Sequence, residues 1–319
     1  MPPSDRLAEL QAEFGNTPLC PITLTVSPGR CGTVFLQKLF TKTFGDSGEF
    51  LHERLSAHEG RSALFFRAYD PQLQSEMLQF DAIYEEFRRL LEAARTRPIC
   101  EFGHYFISAV PAMQAIAPQA LRVLAVHRHP LQSAASHAIK GHYVTNKSRM
   151  WAITPTHERV FHPEYVGRWE QMTAYEKELY RWLQITKYAL ELPKKIPGLK
   201  WKVVASRDLF KSTAVQADIA EFCGFPRPTF SSDTVSKNES TDFNRETMPI
   251  GDEWQRTGSY PEIVQLAESL GYDMTPENLK TLIAPYQAPS GLGAALRRWS
   301  GYWYVRKWLG MLRAPAEES

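Results

Sequence analysis

The sequence predicts a three-layer α/β fold, with a central parallel sheet and helices on both of its faces. Two observations indicate this fold. Short runs of β-branched and aliphatic residues alternate with amphipathic stretches along most of the chain. Several of these runs are apolar at consecutive positions. This pattern is typical of strands that are covered by helices on both faces of a parallel sheet. Of the 319 residues, 43% are hydrophobic and 23% are charged, which predicts a packed core and excludes a disordered chain.

The N-terminal region contains the most informative unit of the predicted fold. Residues 4–14 predict a short amphipathic helix. Residues 20–26 (CPITLTV) predict a buried strand, residues 27–33 (SPGRCGT) a turn with two glycines, and residues 34–44 a helix. A buried strand that leads through a glycine turn into a helix is typical of nucleotide-binding α/β folds.

The remaining strands and helices follow in alternation. Further strands are predicted at 98–102, 121–128 and 200–206. Further helices are predicted at 72–95, 130–140, 164–192, 212–223, 261–271, 276–285 and about 294–312. Long polar stretches at 141–162 and 226–258 are predicted to be loops near the functional site, because loops of this length usually carry function.

Charge, cysteine usage and hydropathy limit the class of function. The formal net charge of +2 does not favour nucleic acid as a partner, so anions must be bound by local clusters. The four cysteines have neither CxxC nor disulfide-framework spacing, and no zinc pattern involves the histidines, so we expect no metal. Neither a signal peptide nor an apolar run of about 18 residues is present. These features predict a cytoplasmic protein.

The turn at 27–33 has the composition of an anion-binding loop. It places backbone N–H groups at the positive end of a helix, and Gly29 and Gly32 let the backbone approach an anion closely. Arg30 adds a guanidinium suited to phosphate or sulfate, and Thr33 adds a hydroxyl. No lysine follows Gly32, which argues against an ATP-binding P-loop. On these residues alone, an ordinary strand-to-helix turn is an equal alternative.

A second anion site is predicted at the end of the strand 121–128. Arg128 leaves this strand at its C-terminal end, where open α/β sheets bind ligands. Ser136 lies about two turns along the next helix, so both side chains can face one pocket and hold a phosphate. The alternative is an arginine that caps the sheet edge and a serine buried against a neighbouring helix.

As an ordered pair, the two segments resemble those of sulfotransferases that use 3′-phosphoadenosine 5′-phosphosulfate (PAPS). PGRCGTVFLQKLF is similar to the family's 5′-phosphosulfate loop, and HRHPLQSAAS to its 3′-phosphate segment. The resemblance covers about residues 20–140. It implies a P-loop-NTPase-like sulfotransferase fold, formed by a domain over residues 1–290. It also implies transfer of a sulfuryl group from PAPS, without a metal, to a hydroxyl of a carbohydrate, lipid or small metabolite.

The resemblance also assigns the donor site. It implies that the 5′-phosphosulfate is bound by Pro28, Gly29, Arg30, Cys31, Gly32, Thr33 and Val34, and the 3′-phosphate by Arg128 and Ser136. Cys31 and Val34 stand where the family usually has hydroxyl side chains, so backbone N–H groups should contribute more of the binding. The family's third segment, RKGxxG, is absent. Its candidate substitutes are Arg245, Trp254 and Arg256.

Transfer to a hydroxyl requires a base and a positive charge near the transferring group. Glu53, beside His52, is the first candidate for the base, because related branches of the family have a glutamate at a similar distance from the loop. His104 and Glu101, after the strand 98–102, are the alternatives. Arg30 is the candidate for stabilising the transferring group. For each acid or histidine, an ordinary solvated or hydrogen-bonded side chain is the competing interpretation.

Two further expectations concern Cys31 and the C-terminal residues 291–319. Cys31 at a helix N-terminus is expected to have a lowered pKa and a reactive thiol. Residues 292–313 combine basic and aromatic residues without an acid. They predict either peripheral contact with a membrane surface or a helix that packs on the core or on the second subunit of a homodimer.

Two other functions stay open at the level of sequence. One is a P-loop kinase-like phosphotransferase, which the missing lysine disfavours. The other is a non-catalytic nucleotide-binding protein that docks on a membrane.

Overall fold

Five parallel strands form the central sheet in a computed structural model of the chain. The structure describes residues 3–54, 78–103, 109–143, 152–157, 160–229 and 250–287. The strands are β1 (Ile22–Val26), β2 (Glu49–Leu51), β3 (Ile99–Glu101), β4 (Leu121–His127) and β5 (Lys200–Ala205). Their order across the sheet is β2-β3-β1-β4-β5. Each neighbouring pair is parallel, so all C-terminal strand ends meet at one edge.

Helices connect the strands and follow the last one. The α-helices are α1 (Pro3–Phe14), α2 (Thr33–Phe44), α3 (Asp81–Ala93), α4 (Val110–Ile116), α5 (Pro130–Ala138), α6 (Ala174–Lys195), α7 (Ser206–Lys211), α8 (Thr213–Phe222), α9 (Pro261–Ser269) and α10 (Pro276–Ile283). Short 3-10 segments cover Gly45–Ser47, Pro163–Gln171, Glu253–Ser259 and Ala284–Tyr286.

Two apolar clusters lie on opposite faces of the sheet. In β4, Val123 and Ala125 pack in the larger cluster, whereas Leu124 and Val126 pack in the smaller one. This alternation follows from the two-residue period of a strand. Helices α3 to α6 contribute to the larger cluster, and α2 and α8 to the smaller. The predicted three-layer α/β fold with a central parallel sheet is therefore confirmed.

A cluster of phenylalanines holds β2 beside α2. The ring of Phe40 on α2 lies 5.8 Å from the ring of Phe50 on β2 and 5.0 Å from that of Phe102, which follows β3. Phe225, after α8, stacks on Phe44 with ring centroids 4.4 Å apart. This packing brings the residues after β2 to the N-terminal end of α2.

Some element boundaries differ from the prediction. Strand β2 was not predicted, because a half-buried strand of three residues carries no readable periodicity. The predicted helix 164–192 begins only at Ala174, where Thr173 and Glu176 form a reciprocal capping box. The predicted helix 212–223 is preceded by a separate helix α7, since the Ser212 side chain caps the start of α8.

Several predictions fall on residues outside the described part of the chain. They include the C-terminal residues 291–319, the domain boundary at residue 290, His104, Arg245 and parts of the predicted loops at 141–162 and 226–258. Among the residues described above, no helix has the length and apolar content that crossing a membrane requires.

Candidate active site

Residues 27–33, here called the glycine loop, join β1 to α2 at the C-terminal edge of the sheet. Gly29, Arg30 and Gly32 all have positive φ, at 84°, 58° and 100°. Gly32 is also packed closely, since a Cβ there would lie 2.7 Å from the ring of Phe210. Helix α2 has neither a capping side chain nor an acid in its first turn. Its first N–H groups are therefore available to an external anion.

The carbonyl groups of the glycine loop are bound on its buried side. Arg181 donates a hydrogen bond of 2.7 Å to the Pro28 carbonyl, which also lies 3.1 Å from Nε2 of His137. The Cys31 thiol donates to the Gly29 carbonyl at 3.0 Å. The N–H of Gly29 donates to Oγ of Ser27 at 3.0 Å. Because C=O and N–H point in opposite directions in a trans peptide, the N–H of Arg30 points away from the side on which the Gly29 carbonyl is bound. Together with the first N–H groups of α2, it offers backbone donors to an anion.

The two predicted anion sites meet at Arg30. Its Nε donates a hydrogen bond of 3.0 Å to Oγ of Ser136, which is fully buried on α5. Arg128 donates to the Arg30 carbonyl at 3.0 Å and to the Tyr286 hydroxyl at 3.1 Å. Tyr286 was not predicted as part of the site, because it follows α10, more than 150 residues from Arg128. The structure thus combines both segments into one cationic site.

In the described residues, burial and like charges dominate the electrostatics of this site. Burial lowers the pKa of Arg30, and the nearby Arg128 lowers it further, while Glu53 acts in the opposite direction. Burial also lowers the pKa of Lys140, and the charge of Arg30 adds to this effect. Cations gathered in this way repel each other, and a bound anion would remove that repulsion.

Cys31 corrects one prediction from the sequence. Its side chain is fully buried among the apolar residues between α2 and the sheet. Burial raises the pKa of the thiol to about 11, although Ser27 and three arginines act to lower it. The expected low pKa was wrong because loss of water around the thiolate outweighs the effect of the helix end.

Glu53 lies beside the glycine loop, where the Phe cluster and β2 place it. His52 links it to the loop: Nε2 of His52 is 3.1 Å from Oγ1 of Thr33 and 3.8 Å from Oε1 of Glu53. About a quarter of the Glu53 side chain, 26%, is exposed. Burial lowers the pKa of His52, while the charge of Glu53 acts to raise it, so burial opposes a full ion pair between the two side chains.

Glu101, the alternative base at the end of β3, has a different environment. Its side chain is fully buried, so an acceptor has no access to it. Burial raises the pKa of its carboxyl to about 7, while the backbone N–H groups of Glu53, Arg54 and Gly103 act to lower it. The structure therefore excludes Glu101 as the group that takes a proton from an acceptor. His104, the remaining alternative, lies outside the described residues.

A buried network behind the glycine loop was not predicted. Arg181 on α6 lies 3.3 Å from Nε2 of His137 and 3.5 Å from Oε2 of Glu178, and Glu178 also binds His142 at 3.1 Å. The two histidines and Glu178 have their potential ligand atoms within 4.8 Å of one another. The Arg181 guanidinium already supplies the positive charge of this cluster, which disfavours a metal cation there. Arg181 gave no signal in the sequence, because it belongs to no motif.

The candidates for the third donor-binding segment receive little support. Arg256 forms two hydrogen bonds of 2.8 Å with the carboxylate of Glu176. Its guanidinium thus stabilises the start of α6. Trp254 is partly buried against the larger core cluster, and Arg245 lies outside the described residues.

Comparisons with known proteins were made by sequence and by structure. No protein-family model and no curated protein sequence matches the chain. One similar solved structure is the sulfotransferase domain from the curacin biosynthetic pathway, at 16% identity and a TM-score of 0.45, covering 82% of this chain and 100% of that one. Another is the sulfotransferase from Alicyclobacillus acidocaldarius, at 14% identity and 0.45, covering 82% and 98%.

A third similar structure is the sulfotransferase STF1 from Mycobacterium tuberculosis H37Rv. Its identity is 13% and its TM-score 0.38, over 88% of this chain and 81% of that one. All three proteins are sulfotransferases, the family that the two sequence segments resemble.

Proposed function

We propose that this chain is a sulfotransferase that transfers a sulfuryl group from PAPS to an acceptor hydroxyl. The observation that carries the proposal is the position of Arg30. It lies in the glycine loop and is bound to both residues of the second segment, Arg128 and Ser136. One cationic site therefore combines a helix N-terminus with residues that follow two strand ends. A nucleotide with two separate anionic groups needs such a site, because each group must meet its own donors.

The residues of the site fit a nucleotide donor that carries anionic groups at both its 5′ and its 3′ positions. The glycine loop, with its N–H groups and the Thr33 hydroxyl, would bind the 5′-phosphosulfate. Arg128 and Ser136 would bind the 3′-phosphate. In the structure these two side chains bind Arg30 and Tyr286, so donor binding would exchange or share these hydrogen bonds. ATP and ADP carry phosphates only at the 5′ position and would leave the second segment unused.

The donor supplies the sulfuryl group, and the side chains of this protein perform the remaining steps. Glu53 accepts the proton of the acceptor hydroxyl as its oxygen attacks sulfur. Arg30 stabilises negative charge on the transferring group and on the departing phosphate. His52 holds Thr33 on one side and faces Glu53 on the other, which keeps the base next to the loop.

The acceptor is a hydroxyl compound of the carbohydrate, lipid or small-metabolite class. Residues 141–170 and 226–258 are proposed to form its pocket. Many of these residues lie outside the described part of the chain, as does the segment 292–313, for which membrane contact or a homodimer contact was predicted. Location in the cytoplasm also stays a prediction.

Calorimetric titration with 3′-phosphoadenosine 5′-phosphate (PAP), ADP and ATP tests the donor site. PAP should bind more tightly than either control nucleotide. Arg128→Ala should weaken PAP binding by roughly 10- to 150-fold, the value of a hydrogen-bonded charge contact. Arg227→Ala is the matched control, because that guanidinium pairs with Asp218 and Glu221 on the exposed side of α8.

The other outcomes have distinct meanings. Tighter binding of ATP than of PAP would contradict the proposal and favour a phosphotransferase. Selective PAP binding without transfer of labelled sulfate from PAPS to a broad panel of hydroxyl acceptors would favour a non-catalytic binding protein.

A further inference from the structure

The side chain of Glu101 contacts the backbone of Glu53, the proposed base. Strands β2 and β3 are parallel neighbours, with Leu51 paired to Glu101. Just beyond this pair, the backbone N–H of Glu53 donates a hydrogen bond of 2.7 Å to Oε1 of Glu101. The N–H groups of Arg54 and Gly103 lie close enough to stabilise the same carboxylate. The Glu101 side chain thus binds the backbone of the turn that carries Glu53.

The backbone of Glu53 needs such support. Its φ is 56°, in the left-handed region that residues with a side chain seldom adopt. A Cβ at position 103 would lie 2.8 Å from both Oε1 of Glu101 and the backbone nitrogen of Glu53. Gly103 therefore leaves the space in which the Glu101 carboxylate and the turn approach each other.

Other roles for Glu101 do not fit its surroundings. It has no exposed surface, and in the described residues no salt bridge joins it to a cation. The charged group that affects it from α3 is Glu86, a like charge, which itself pairs with Arg89 and lies near Arg54. Burial of a carboxylate without a neighbouring cation costs free energy, because the charge loses its contact with water. This cost indicates that the contacts of Glu101 with the turn have a role beyond stability.

We propose that Glu101 is a positioning residue for the transfer reaction, which fixes the backbone of Glu53 and thereby the place of its carboxylate beside the glycine loop. This inference rests on the proposed role of Glu53 as the base. Replacing Glu101 should leave donor binding nearly unchanged, because the glycine loop, Arg128 and Ser136 have their own supports on α5 and α6. It should impair the step in which the acceptor proton is removed.

The contact also predicts a dependence on pH. The pKa of the Glu101 carboxyl, raised by burial, is about 7. The ionised form accepts N–H hydrogen bonds more strongly than the neutral form. The turn should therefore be held firmly above pH 7 and less firmly below it. Burial lowers the pKa of the neighbouring His52 below its ordinary value of 6.5, so His52 titrates at lower pH than Glu101.

Hydrogen exchange measures the proposed effect directly. Exchange of the Glu53 amide hydrogen is followed by mass spectrometry in the full chain at pH 6 and pH 8. Each measured rate is divided into the rate of an unstructured amide at the same pH, which gives a protection factor. Wild type should show stronger protection at pH 8 than at pH 6. Glu101→Ala should lose about 10-fold or more of the protection at pH 8, as loss of a charged acceptor predicts. Glu101→Gln keeps an acceptor oxygen, so it should retain most of the protection and respond little to pH.

A second variant and a binding control complete the test. Gly103→Ala retains Glu101 but pushes a methyl group into the contact, so it should also weaken protection of Glu53. PAP titration of each variant should give affinities within about 3-fold of wild type, since no donor contact is removed. Unchanged Glu53 protection in Glu101→Ala and Gly103→Ala would overturn the inference. Failure of the proposed function is distinguished from failure of this inference, because in that case the wild-type protein itself would not bind PAP.

Discussion

Nε of Arg30 donates a hydrogen bond of 3.0 Å to Oγ of Ser136, which connects the glycine loop to α5 across 106 residues of sequence. The same arginine presents its carbonyl to Arg128. Arg30 is therefore the residue through which the two proposed anion-binding segments are joined, and the contact with Ser136 fixes the position of its guanidinium. This arrangement and the neighbouring acidic residues lead to four predictions.

The first prediction concerns Ser136. Ser136→Ala removes the acceptor for Arg30 and a proposed ligand of the 3′-phosphate. PAP affinity should fall by roughly 3- to 10-fold, the usual value of a neutral hydrogen bond, and ADP affinity should change less. Calorimetry with both nucleotides measures the difference. Ser133→Ala is the matched control, because Ser133 lies on the same helix and its hydroxyl makes a weak 3.4 Å contact with the Gly29 carbonyl. An equal loss for PAP and ADP would contradict a role at the 3′-phosphate.

The second prediction concerns the base. Glu53→Gln keeps the size of the side chain and removes its ability to accept a full proton. Transfer from PAPS should fall by roughly 10²- to 10⁴-fold, while PAP affinity stays within about 2-fold. The measurement is incorporation of radiolabelled sulfate from PAPS into a hydroxyl acceptor, with Glu268→Gln, an exposed substitution on α9, as the control. Full activity of Glu53→Gln would exclude it as the base and favour His104.

The third prediction follows from the raised pKa of Glu101. Its folded pKa of about 7 exceeds the ordinary value of 4.5, so the folded state binds this proton more tightly than the unfolded state. The contribution of this carboxyl to stability is therefore largest at low pH, and it decreases as pH rises from 4.5 to 7. Relative to Glu101→Gln, wild type should lose roughly 3 kcal/mol between pH 4.5 and pH 8.

Urea unfolding of both proteins across this pH range tests the third prediction. A constant difference between wild type and Glu101→Gln would show that the carboxyl has an ordinary pKa in the folded protein. The stability trend and the proposed support of Glu53 are compatible. Burial of the ionised Glu101 carboxylate lowers the free energy of unfolding of the whole protein. The same ionised carboxylate accepts the hydrogen bond from the Glu53 N–H more strongly than the neutral form does.

The fourth prediction concerns thiol reactivity. Cys31 is buried and its pKa is raised to about 11, whereas Cys20 is partly exposed. Iodoacetamide should therefore label Cys20 at least about 10-fold faster than Cys31 in the native protein, because the thiolate is the reactive form. Mass spectrometry of peptides after timed alkylation measures both rates. Faster labelling of Cys31 would restore the interpretation based on its place at a helix N-terminus.

Local patterns allowed much of the fold to be predicted. Strand β4 was recognised because it is mostly buried and apolar at consecutive positions, and β1 because it is a buried run in which threonines alternate with aliphatic residues. The start of α6 was misplaced because the polar residues before it continue a helical spacing, and only the capping box of Thr173 and Glu176 marks its beginning. Strand β2 was missed because three residues are too few for any period.

The sequence by itself determined the α/β class, the order of its main elements and the unit of strand, glycine turn and helix at residues 20–44, because apolar periodicity and glycine turns are local properties. Only the tertiary structure decided that Arg30 binds Ser136, that Glu101 supports the backbone of Glu53, and that the Cys31 thiol is buried. These relationships depend on which side chains meet across the sheet edge and on how much water is excluded there. Both are set by packing between distant segments, which no short stretch of sequence encodes.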